Sequence, residues 1–224
     1  MGVYVSWGNV KIELKISVMG RKQVSQTRLL DPFKSVLPLR RFSIDEYHKM
    51  IEAGILSEGE RAELIDGVIV QMCAQKSKHS AVISRFTTLL YPPVIERKAL
   101  LRVQLPITLN DDTEPEPDLV LVKYREDAYV ESHPGPGDVL LLIEVSDTTL
   151  GMDKMVKLPR YAASGIPEVW IVNLVDDIIE VYREPLELPD GTATYQRRTD
   201  FVKGDVLTPQ AISALKIAVD EMLV

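Results

Sequence analysis

The sequence predicts an α/β (α+β) fold, with strands and helices alternating along one main domain, and three observations carry that reading. Apolar runs of strand length recur at residues 68–72, 119–122, 140–145 and 168–173. Between them, Val82, Ile83, Phe86, Leu89 and Leu90 follow the 3.6-residue spacing of a helix with one buried stripe. Clusters of Gly, Pro, Asn and Asp punctuate these segments, as turns require.

In chain order, Ser43 serves as N-cap for a helix through Tyr47, Met50 and Ile51 that Gly54 stops. Residues 60–64 read as a second short helical turn, placing Glu63 three residues before the tight turn Asp66-Gly67 that leads into the strand at 68–72. The amphipathic helix follows, with His79 in its first turn on the inward stripe, and Pro92-Pro93 ends it. Residues 100–109 read as one long strand before the acidic turn Asn110-Asp111-Asp112. Strands at 119–122 and 140–145 flank a Gly- and Pro-rich loop around His133. The next helix carries Lys154, Lys157, Tyr161 and Ala162 and closes at Gly165. Pro159 removes an amide from it, so a kink or a start near that residue is expected. Strands at 168–173 and 178–182, joined through Asp176-Asp177, complete the legible part.

The composition is that of an ordinary globular protein: 224 residues, 46% hydrophobic, with no apolar stretch long enough to cross a bilayer. The formal charge of −7 argues against broad adhesion to nucleic acid, although a local basic patch remains compatible with it. Residues 1–40 hold seven Lys or Arg against two acids, so they form a basic leader to a more acidic body. Val10, Ile12, Leu14, Ile16 and Val18 alternate with polar residues there. Two readings fit: an extra edge strand or hairpin, or an extension upstream of a start at Met19. The leader lacks the features of a secretory signal, and the lone Cys73 excludes an internal disulfide, so a cytoplasmic setting is expected. Cys73 reads as a small core side chain, and His48 and His133 as surface residues.

Asp118 and Glu144 are the most informative residues. Each sets a carboxylate in or beside an apolar strand, where an unpaired charge is costly and a basic side chain, backbone donors or a bound cation must offset it. If the two strands pair antiparallel, the start of one lies beside the end of the other and the carboxylates meet.

Taken together, Glu63-Leu64-Ile65-Asp66-Gly67, His79, Pro117-Asp118, Glu144-Val145-Ser146, Asp153, Lys157, Tyr161 and Gly165-Ile166-Pro167-Glu168-Val169-Trp170 resemble the Uma family of restriction-endonuclease-like proteins. The resemblance runs from about residue 42 to 182. It implies a PD-(D/E)XK nuclease core, a mixed central sheet flanked by helices and occupying residues 41–224, with residues 1–40 outside it. It also implies Asp118 and Glu144 as catalytic metal ligands, Mg²⁺ or Mn²⁺ as the ion, DNA as substrate, and a homodimer as a common assembly. The family's usual lysine, two residues after the second acid, is Ser146 here, and Lys157 looks like its migrated substitute. Glu63 would complete the metal shell, while His79 and Ser146 would contact phosphate or orient a ligand.

Each assignment has a structural rival. Asp118 could be a turn residue, Glu144 could pair with Lys157 for stability alone, and Lys157 could form a surface helix pair with Asp153. Glu63 and His79 could simply satisfy local partners, and Tyr161 and Trp170 read as core aromatics. The expected function is therefore a metal-dependent endonuclease, with a catalytically silent nuclease-fold module of binding or regulatory role as the alternative. A carboxylate-pair hydrolase acting on sugars finds no support, because no aromatic sugar platform is present.

Overall fold

A computed structural model describes residues 3–7, 10–14, 39–57 and 61–223. The chain divides into two compact units, residues 1–40 and 41–224. In the first, β1 (Val3–Trp7) and β2 (Val10–Leu14) form an antiparallel hairpin with Val3 opposite Leu14 and Trp7 opposite Val10. The continuation of the alternation through Ile16 and Val18, and the Met19-Gly20 pair, lie outside the described residues.

The second unit is built on a six-stranded mixed sheet. Its members are β5 (Ala99–Val103), β6 (Leu119–Lys123), β7 (Val139–Ser146), β8 (Glu168–Asn173), β9 (Ile178–Glu187) and β10 (Ala193–Phe201), in spatial order β10-β9-β8-β7-β6-β5. Only β7 and β8 run parallel. Parallel neighbours need a crossover, and the helical segments of residues 150–163 supply it.

Strand alternation sends side chains to two cores. Leu119, Leu121, Leu141, Ile143, Trp170 and Val172 pack with Val82 and Phe86 of α2 (Ser77–Leu89). Val120, Leu142, Val169 and Ile171 pack on the other face with Tyr161 and Ala162 of α5 (Leu158–Ala163). The sheet is thus covered on both sides, which is why its central strands read as near-continuous apolar runs.

Helix α1 (Ile44–Glu52) starts as expected. Ser43 Oγ accepts from Glu46 N and Glu46 Oε2 accepts from Ser43 N, each at 3.2 Å, a reciprocal cap. Beyond α2, Pro92 opens a further short turn, α3 (Pro92–Ile95). The chain ends with the two-residue strands β11 (Val206–Leu207) and β12 (Ile217–Ala218) and the turn α6 (Val219–Met222). Among the described residues, no helix is long and apolar enough to cross a membrane.

Four expectations need correction. The helical turn expected over 60–64 is instead strand β3 (Ala62–Ile65), paired with β4 (Val68–Gln71); residue 60 lies outside the described set. Asp66 and Gly67 both have positive φ, 49° and 71°, and Ile65 faces Val68, so this is a two-residue hairpin that the Asp-Gly pair favours over a helix end. The long strand expected over 100–109 stops at Val103, because Gln104 turns left-handed at φ 51° and Pro106 brings no amide to a ladder. Cys73 is exposed, since it lies past the end of β4, a strand with no buried residue. His48 and His133 are half-buried, with His48 Nε2 2.6 Å from the buried Glu114 and His133 Nδ1 3.2 Å from Arg102 Nη2. Pro159 behaves as expected, falling in the first turn of α5.

The hairpin tip is tightly held. Phe42 N donates to Gly67 O at 2.9 Å, Gly67 N donates to Asp112 O at 2.7 Å, and Arg160 Nε donates to Asp66 Oδ1 at 2.8 Å. A Cβ on Gly67 would lie 2.6 Å from Arg41 Cβ and 3.0 Å from Phe42 O. Gly67→Ala is therefore expected to destabilise the protein by about 1–3 kcal/mol, through the strained φ and the clash. Denaturant unfolding measures this, and an unchanged midpoint would contradict the packing of the tip.

Candidate functional site

The site arises where β6 begins and β7 ends. These strands are antiparallel with Leu119 opposite Ile143, so Asp118, one residue before β6, comes beside Glu144. Both side chains lie on the α5 face, two residues from Val120 and Leu142 respectively, and Asp118 is 8% and Glu144 3% exposed. Val145 N donates to Asp118 Oδ2 at 2.8 Å, and Asp118 N reaches Glu144 Oε2 at 3.4 Å. Each carboxylate is thus tied to the other's strand.

The other predicted residues gather around this pair. His79 Nε2, from the first turn of α2, lies 3.0 Å from Asp118 Oδ1. Lys157 Nζ lies 2.9 Å from Glu63 Oε2 and 3.3 Å from Glu144 Oε1, in a buried bridge between β3 and β7. Ser146 Oγ donates to Asp153 Oδ2 at 2.7 Å. Lys157 and Asp153 are both buried, so they form no surface pair, although the charge of each favours that of the other.

A π-helical turn, Asp153–Lys157, makes this arrangement. It links α4 (Leu150–Met152) to α5, and Leu158 N–H donates to Asp153 O across the widened turn. The extra residue in the turn directs Asp153 and Lys157 inward together, ahead of the amide lost at Pro159.

Burial sets the electrostatics. It pushes the Glu144 carboxyl up to about 8, with Asp153 and Asp118 adding to the rise and the Lys157 ammonium opposing it. Asp153 and Glu116 are raised for the same first reason. Burial alone would lower Lys157, but Glu144 and Glu63 outweigh it and hold the ammonium protonated. Tyr161, whose phenol is raised by burial, donates its O–H to Glu144 Oε1 at 2.6 Å.

These groups line a cleft of about 300 Å³. Five carboxylates face it, from Glu63, Glu116, Asp118, Glu144 and Asp153, against two fixed cations, Arg61 and Lys157. Acceptor counting then marks which oxygens could take a cation. Glu144 Oε1 takes both Lys157 and Tyr161, and Asp118 Oδ1 takes both His79 and Gln104 Nε2, the latter at 3.1 Å. With two lone pairs per carboxylate oxygen, Oδ2 of Asp118 and Oε2 of Glu144 keep open capacity. Two hard oxygens in an acid-rich cleft suit Mg²⁺ or Mn²⁺ completed by water. Among the described residues, no three His, Cys, Asp or Glu side chains are spaced to hold a metal, because Lys157 stands between Glu63 and Glu144.

Sequence reasoning missed Gln104 as a partner of Asp118, and read Tyr161 only as core. An uncharged side chain 14 positions away carried no signal. The Tyr161 phenol, four residues after Lys157 and on the same helical side, did carry one.

The architecture is a mixed six-stranded sheet flanked by helices, with two buried carboxylates where two central strands meet. Residues 44–220 match the family described as "Uma2: Putative restriction endonuclease", and the chain belongs to that family. It shares its fold with a crystal structure described as "a putative nuclease belonging to DUF820" from Anabaena variabilis ATCC 29413. The TM-score is 0.62 and the identity 19%, over 81% of this chain and 97% of that one. No curated protein matches the chain.

Lys157→Met removes the cation between two buried carboxylates. The metal-free protein is expected to lose about 3 kcal/mol in denaturant unfolding, with part recovered when Glu144→Gln is added. Unaltered stability of Lys157→Met would show that the bridge carries no weight.

Proposed function

We propose that this chain is a divalent-metal-dependent endonuclease that hydrolyses DNA phosphodiester bonds by attack of water, without a covalent enzyme intermediate. The observation that carries the reading is the meeting of Asp118 and Glu144, each with one open oxygen, beside the Lys157 ammonium. Membership of the restriction-endonuclease family supports DNA as the substrate.

In this reading Asp118 Oδ2 and Glu144 Oε2 would hold Mg²⁺ or Mn²⁺, with Glu63 as a further ligand beside Lys157. When bound, the ion polarises the phosphate and lowers the pKa of water. Lys157 places a fixed positive charge where negative charge grows on the phosphate, or orients the attacking water. His79 keeps Asp118 turned toward the cleft, and the Tyr161 hydroxyl does the same for Glu144. Ser146 acts at one remove, through its bond to Asp153 in the turn that delivers Lys157. The domain of residues 41–224 carries the activity, and a homodimer in the cytoplasm, suited to cutting both strands, belongs to the same proposal.

A second reading has one observation in its favour. Lys157 bridges Glu63 and Glu144 where a third ligand is wanted, an arrangement that would also suit a catalytically silent binding module.

Plasmid cleavage with Mg²⁺ or Mn²⁺ separates the two readings. Wild type is expected to cut, and Asp118→Ala and Glu144→Ala to lose at least about 2.7 kcal/mol of transition-state stabilisation, a hundredfold or more in rate. Equal cleavage by all three would discard the site. DNA binding without cleavage, unaffected by either substitution, would favour the silent module.

A further inference from the structure

We propose that Gln104 is the residue that presents Asp118 to the metal through a single oxygen, an inference that rests on the reading that Asp118 and Glu144 share a divalent ion. Gln104 directly follows β5 and holds Asp118 twice. Its backbone N–H donates to Asp118 O at 3.0 Å, and its side-chain Nε2 donates to Asp118 Oδ1 at 3.1 Å. The main chain and the carboxylate of one residue are therefore set by one neighbour just past the end of the adjacent strand.

Two further observations agree. Gln104 sits at φ 51°, a left-handed conformation that glycine adopts freely and that a residue with a Cβ adopts at a cost. Strain kept where glycine would relieve it points to a side chain that the position needs. In addition, His79 Nε2 lies 3.0 Å from the same Oδ1. The amide and the imidazole together fill that atom, leaving Oδ2, which accepts only Val145 N–H among the hydrogen bonds of the described residues, as the oxygen with capacity for an ion. Without the amide, the Asp118 carboxylate gains freedom to rotate about its last bond, and metal binding must then order it.

The test is Mn²⁺ affinity, measured on the full chain by titration calorimetry and by the electron paramagnetic resonance signal of free Mn²⁺, with circular dichroism as the check on folding. Wild type is expected to bind saturably. Gln104→Ala and Gln104→Gly are both expected to bind ten- to a hundredfold more weakly while remaining folded. Metal-free Gln104→Gly should also melt at a higher temperature than Gln104→Ala, because only the glycine relieves the left-handed backbone. That split distinguishes a positioning role from a structural one, since affinity falls in both variants while stability moves apart. Saturable wild-type binding with unchanged affinity in the variants overturns the role of Gln104 alone. Absence of saturable binding by wild type overturns the metal reading beneath it, and this inference with it. Should Gln104→Ala misfold, Gln104→Gly decides by its affinity.

Discussion

The antiparallel pairing of β6 with β7, in the register that sets Leu119 opposite Ile143, is the constraint on which the rest of this site depends. Side chains alternate along a strand, so a slip of one residue would turn Asp118 toward α2 while Glu144 still faced α5. The register is well fixed because both strands are buried on both faces, by Val82 and Phe86 on one side and by Tyr161 and Ala162 on the other. Packing of apolar side chains therefore determines where two carboxylates meet, although neither contributes to that packing.

Bringing charges into such a place carries an energetic penalty, and the neighbouring elements offset it in different ways. Asp118 receives donors from three directions: α2 through His79, the end of β5 through Gln104, and the backbone of β7 through Val145. Glu144 depends instead on the Lys157 ammonium and the Tyr161 hydroxyl, both delivered by the crossover helix. The widened turn at Asp153–Lys157 is what allows the crossover to do this, with Ser146 anchoring it through Asp153. A serine in that position on β7 is thus consistent with a lysine arriving from elsewhere.

How much could be read beforehand follows from the same physics. Asp118 and Glu144 stood out because a charge within an apolar run is costly enough to demand explanation, and α1 because its capping residues act over three positions. The strand at 68–71 and its Asp-Gly turn are legible, but β3 reads as a helical turn because Arg61-Ala62-Glu63-Leu64 are good helix formers, a preference that the tertiary bridge from Leu64 to Glu114 overrides. The alternative reading of Lys157, as half of a surface pair with Asp153, assumes a regular α-helix at that spacing, which the π-helical turn replaces. Gln104 and the half-buried His48 and His133 gave no signal, because their partners are distant in sequence and uncharged side chains or histidines are common on surfaces.

The central claim is that two carboxylate oxygens from adjacent strands clasp one divalent cation. Anomalous diffraction from crystals soaked in Mn²⁺ tests it most directly. The expected result is a single strong peak about 2.1 Å from Asp118 Oδ2 and Glu144 Oε2, with Lys157 Nζ still within the cleft. A saturating soak that leaves no peak between those two oxygens, or places it on other side chains, would contradict the account.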